Sequence, residues 1–179
     1  MRKIFIFSIA AIALFASCKK SNPSIPAGIS ATFNDTSKDF SHQPYATMSH
    51  LTGNAVIQII GTTATGQNII ISISNNLGGA IDSIVAGTYS DTSTRFSIEV
   101  EFFGFLSGSI LHDYLGGTFV DGSEGHGIPA TNHMVIKITS ITSNSIKGTF
   151  SGNVYMNGDT SSAALSVTNA SFNVAMKYI

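Results

Sequence analysis

Strict two-residue alternation is the feature that most constrains this chain. From Arg95 to Phe103 polar and apolar side chains alternate, with Phe103 the one apolar residue on the polar side. Phe96, Ile98, Val100 and Phe102 fall on one side; Arg95, Ser97, Glu99 and Glu101 fall on the other. Successive side chains of a strand point to opposite faces, so this pattern buries one face and wets the other. The same logic runs through the chain. Ile57 and Ile59, then Ile69, Ile71 and Ile73, should point inward around the hairpin loop 61–66, with Gln58, Ser72 and Ser74 on the wet face. Met134, Ile136 and Ile138 make one strand face, and Ile146, Gly148, Phe150, Gly152 and Val154 the next. Leu165 and Val167 open a further strand, and Phe172, Val174 and Met176 close the chain. No stretch shows sustained helical periodicity. Asn34-Asp35, Thr142 to Ser145, Asn157-Gly158-Asp159 and Asn169-Ala170 read as turns. The fold class is therefore all-β, an antiparallel β-sandwich or open barrel.

The segment Gly104 to Asn132 fits least well. A short strand near Gly116 to Val120 and an overlooked edge strand are both compatible with it, and unstructured stretches of this length are often functional. Phe103 lies on the wet side of its strand, within the dense apolar run Phe102 to Leu106; we expect a second layer to cover it, the alternative being that it contributes to a binding patch.

The first eighteen residues follow another rule. Arg2 and Lys3 precede an apolar run from Ile4 to Ala16, too short for a membrane-spanning helix of about 20 residues. A basic start, a short apolar middle and small residues at the cut form the secretory pattern. Leu14-Phe15-Ala16-Ser17-Cys18 resembles the lipobox of bacterial lipoproteins. That resemblance implies cleavage before Cys18 and acylation of its sulfur. Two or more acyl chains, such as palmitate, anchor a protein far more firmly than one. Cys18 is the one cysteine, so the mature chain can form no internal disulfide. The expected organisation is a signal peptide over 1–17, a lipid-anchored tether over 18–28 and one β-domain over 29–179. Pro23 and Pro26 suit a tether. The second mature position is Lys19, not the aspartate that marks inner-membrane retention, which implies an outer-membrane address. With no acidic run after Cys18, we expect the periplasmic face.

The set Thr139-Ser140-Ile141, Ile146-Lys147-Gly148-Thr149-Phe150-Ser151-Gly152 and Val167 to Val174, with Gly87-Thr88-Tyr89, is similar to small Bacteroidota lipoproteins grouped as a domain of unknown function. These are packing and turn residues, so the resemblance implies a β-sandwich and no reaction. Gly148 and Gly152 flank Phe150 and leave room for a large ring.

Chemistry-bearing residues are sparse. Asp113, Asp121, Glu124, His126 and His133 share one long segment and are the metal or acid–base candidates. Their spacing matches no metal signature, and polar residues beside glycines are usually just solvated. Glu99 and Glu101 resemble paired carboxylates, but exposed alternation accounts for them. His42 and His50 flank Tyr45 on what reads as surface. Asp82-Ser83-Ile84 resembles a short Bacteroidota O-glycosylation motif, which makes Ser83 a candidate. No phosphate loop, dinucleotide fingerprint or His-Glu zinc motif occurs, so no cofactor is expected. A formal charge of −1 argues against nucleic acid as a partner. The expected function is a non-enzymatic binding or structural module, attached to the membrane through its lipid, with a protein or glycan partner. The alternative is a small metal-assisted hydrolase built on residues 113–133.

Overall fold

The computed structural model describes residues 27–51, 54–75, 84–107, 110–118 and 132–179. Cys18, Ser83, Asp121, Glu124 and His126 lie outside the described residues. Eleven strands follow in chain order: β1 (Gly28–Phe33), β2 (Thr36–Asp39), β3 (His42–Leu51), β4 (Asn54–Thr62), β5 (Asn68–Ser74), β6 (Gly87–Ser90), β7 (Ser97–Ser107), β8 (Ile110–Gly117), β9 (Val135–Ile141), β10 (Ser145–Met156) and β11 (Leu165–Tyr178). The all-β reading holds.

Two layers face each other. One runs β2-β1-β11-β10-β9-β6, the other β3-β4-β5-β7-β8. The far ends of the two longest strands join the layers. Met176 to Tyr178 of β11 pair with β3, and Tyr155 and Met156 of β10 pair with β8. The second layer is thereby closed into a ring through β11-β3-β4-β5-β7-β8-β10 and back to β11. Closure removes the unpaired edges that an open sheet would expose. The expectation of purely antiparallel pairing needs one correction: β11 and β3 run parallel. Parallel neighbours need a long connection, and these two strands are separated by most of the chain.

The core follows the alternation. Ile57, Ile59, Ile69, Ile71, Ile73, Ile98, Val100 and Phe102 are fully buried from the second layer; Ile136, Ile146, Phe150 and Phe172 meet them from the first. Phe33, Phe40 and Phe102 form an aromatic knot, with the Phe33 and Phe102 rings edge-to-face at 4.3 Å. Such pairs add about 0.5–1.5 kcal/mol beyond the area they bury.

Three local readings change. The residues Ile110 to Gly117 are a strand inside the ring, between β7 and β10. Asn169 does not turn the chain. Its positive φ of 47° sits at a bulge, where the β10 register shifts between Phe150 and Gly152, and β11 continues to Tyr178. An asparagine tolerates that conformation because its short polar side chain can bond locally. The space at Gly148 belongs to Phe172, its cross-strand partner, whose ring a Cβ at 148 would overlap. The turns at Asn34-Asp35 and Asn157-Gly158 occur as read, each with two consecutive positive φ values suited to tight hairpins.

Candidate binding face

The metal candidates that can be placed do not share a site. Asp113 is on β8, and its carbonyl accepts the Asn157 N–H at 2.8 Å. His133 lies just ahead of β9, its carbonyl against the backbone of Gly152 in β10. Its Nδ1 is 3.0 Å from Oδ1 of Asp91. That ring nitrogen is closed off from solvent and, among the described residues, has no well-aimed hydrogen bond. Among the described residues, no group of three His, Cys, Asp or Glu side chains is placed to hold a metal.

Asp91 is buried for a structural reason that alternation does not signal. Its N–H donates to the Met134 carbonyl at 3.1 Å, and its Oδ2 accepts the Met134 N–H at 2.8 Å. The side chain thus supplies the acceptor that the next rung of the β6–β9 ladder lacks. Asn75 does the same beyond β5, with its N–H to the Ala55 carbonyl and its Oδ1 from the Ala55 N–H. Both arrangements satisfy backbone groups where strand pairing stops. Nearby, Tyr89 Oη donates to the Val85 carbonyl at 2.7 Å and accepts the Val85 N–H. Burial raises the phenol above its ordinary 10.0, and the Val85 hydrogen bond works against that rise.

The chemistry concentrates on the outer face of the ring. Inward-pointing Ile71, Val100 and Gly116 leave Ile70, Glu101 and Leu115 facing away from the core. Cross-strand register sets these in one row: Tyr45 of β3, Ile60 of β4, Ile70 of β5, Glu101 of β7, Leu115 of β8 and Tyr155 of β10. The adjacent row holds Thr47, Gln58, Ser72, Glu99 and Gly117. Asp113 stands on the same side of β8, two residues from Leu115. Phe103 is half-buried on this side as well and lies outside the core, contrary to the expectation that a second layer covers it.

Glu99 is the electrostatic anomaly of the face. Partial burial, then a hydrogen bond that the protonated Glu99 donates to the Glu101 side chain, and the Glu101 charge, push the Glu99 carboxyl from 4.5 up to about 8. Gly117 contributes to this packing: a Cβ there would collide with the Ile98 carbonyl and the Glu99 backbone, and its φ of +134° suits glycine. At the end of the face Asn153 is 8% exposed. Its Nδ2 donates to Tyr155 Oη at 3.4 Å, while its Oδ1 is buried without a hydrogen-bond partner among the described residues. A buried acceptor in that state costs about 1–3 kcal/mol.

A concavity lies at the start of β1. About 400 Å³ of space is lined there by Gly28, Ser30, Lys38, Asp39, Ser41 and Ser171, among others. Comparison with known protein families, curated proteins and solved structures gives no match.

Proposed function

We propose that this chain is a lipid-anchored, non-catalytic binding module of the cell envelope, held at the outer membrane and facing the periplasm. The observation that carries the reading is the leader that ends at Cys18, with its basic start, short apolar run and small residues before the cysteine. Nine residues, 19–27, lie between Cys18 and Gly28, where β1 begins. Fully extended, they reach roughly 35 Å, enough to lift the fold clear of lipid headgroups. The outer face of the ring is the surface we assign to the partner, protein or glycan. It combines aromatic and aliphatic side chains with carboxyls on rigid, hydrogen-bonded strands, which hold a binding constellation better than loops do.

Cell fractionation of the Cys18→Ser protein tests the anchor. We expect the wild type in the outer-membrane fraction and the variant in the soluble periplasmic fraction. Retention of the variant in the membrane would refute the lipid attachment.

A further inference from the structure

Resting on the lipid anchor of that reading, we propose that the outer face of the first layer docks on anionic phospholipid headgroups and turns the outer face of the ring away from the membrane. Charge is divided between the layers. Strands β1, β6, β9, β10 and β11 hold Lys137, Lys147 and Lys177 and contain no aspartate or glutamate, in a chain with ten of them. The ring strands β5, β7 and β8 hold Glu99, Glu101 and Asp113 and contain no lysine or arginine. At the rim of the first layer β2 adds Lys38 and Asp39; Lys38 Nζ donates to Gln67 Oε1, and Asp39 accepts the Ser41 N–H.

Alternation and register put the lysines on one side. Ile136, Ile138, Ile146, Phe172 and Val174 are buried in the core, so Lys137, Lys147, Ser171 and Asn173 point outward. One row across the layer reads Ser30, Ser171, Thr149, Lys137 and Thr88. The next reads Gly28, Asn173 and Lys147. Lys137, Thr149, Thr88 and Ser30 are exposed. Ammonium groups set among hydroxyls and an amide are all donors to phosphate oxygens.

The second, independent observation is where an anchored chain joins the fold. Gly28 shares the Lys147 row two strands away, about 10 Å at the usual strand spacing. Lys177 follows Asn173 on the same side of β11, beyond that end of the row. Nine residues link Gly28 to Cys18, so a lipid there keeps this end of the face within reach of the headgroups. The stretch is long enough to lift the fold and slack enough to let one face settle. At physiological salt the field of an anionic surface extends about 8 Å, so a settled face places its lysines inside that field. Asp35 and Asp159 sit in turns at the opposite end, after β1 and between β10 and β11. The carboxyls of the ring face would be repelled by the same surface, so charge selects one orientation.

The test uses the full lipoprotein carried in vesicles. Separate Thr88→Cys and Gln58→Cys proteins take a thiol-linked donor dye on the docking face and on the ring face, the acylated Cys18 being blocked. The acceptor dye is on a lipid headgroup. In phosphatidylcholine vesicles with about one third phosphatidylglycerol, energy transfer from position 88 should exceed that from position 58 at least about twofold. Phosphatidylcholine alone should show no such difference, and about 0.5 M salt should remove it. Lys137→Gln with Lys147→Gln should remove it as well. Equal transfer from the two positions in the anionic vesicles would overturn the docking and leave the anchor standing. A protein that does not stay with phosphatidylcholine vesicles would overturn the anchor, and the docking with it. Lysine-dependent capture of dextran sulfate, with equal transfer from the two positions, would replace the membrane with an acidic glycan.

Discussion

At the scale of single residues, burial decides what a polar group does here. Glu99 carries its proton in the folded chain up to about pH 8, against 4.5 when unfolded. Between those values the folded state binds the extra proton. Its stabilising effect is therefore fully present below about pH 4.5, declines as pH rises, and is gone above about pH 8. The group is half-exposed, so screening reduces the swing to about 1–2 kcal/mol. Chemical denaturation of wild type and Glu99→Gln across pH 5 to 9 should show the difference: the variant lacks this decline, and its advantage grows with pH. Asp91 is a fully buried acceptor for the Met134 N–H. Asp91→Ala should cost about 2–3 kcal/mol by leaving that N–H unpaired. Asp91→Asn keeps an acceptor for Met134, so its cost should be smaller. Equal losses for the two variants would show that the ladder contact is not what holds Asp91 in place.

At the scale of strands, what was legible depended on how much of the fold each strand's own side chains encode. β4, β5 and β7 announce themselves because isoleucine, valine and phenylalanine recur at every second position. β8 does not. Ile110-Leu111-His112-Asp113-Tyr114-Leu115-Gly116-Gly117 has little alternation, and its extended shape comes from pairing with β7 and β10 on its two sides. β2 is a polar edge strand and β6 a four-residue one, so neither carries a strong period of its own. Asn169 misled because asparagine at positive φ serves turns and bulges alike. That bulge gives a prediction: Asn169→Val should destabilise by about 1–2 kcal/mol, while Asn169→Gly should be close to neutral. At Gly148 even one methyl meets the Phe172 ring and the Lys137 carbonyl. Gly148→Ala should therefore cost about 1–3 kcal/mol in thermal or denaturant unfolding. The candidate site was harder to see than the strands. Glu99 and Glu101 look like an ordinary wet face in one dimension. Their significance comes from register, which brings Ile70 and Leu115 alongside them and leaves Gly117 beside Glu99. Asn153 gave no one-dimensional signal at all.

At the scale of the whole molecule, two stacked layers share their longest strands, β10 and β11, and the second layer closes into a ring. Closure leaves the edges at β2 and β6, both four residues long, where another chain would find little to pair with. The broad outer face of the ring is thus the larger surface on offer, and a tether of about ten residues would leave it free to turn toward a partner. A lipid anchor would also concentrate the module at one surface, which would raise the effective concentration for partners held at the same membrane. All of this rests on a lipid at Cys18, and mass spectrometry of the mature N-terminus tests it most directly. We predict a chain that begins at Cys18, heavier than the bare polypeptide by two or three acyl chains. A chain that still begins at Met1, or one with a free thiol at Cys18, would contradict the account.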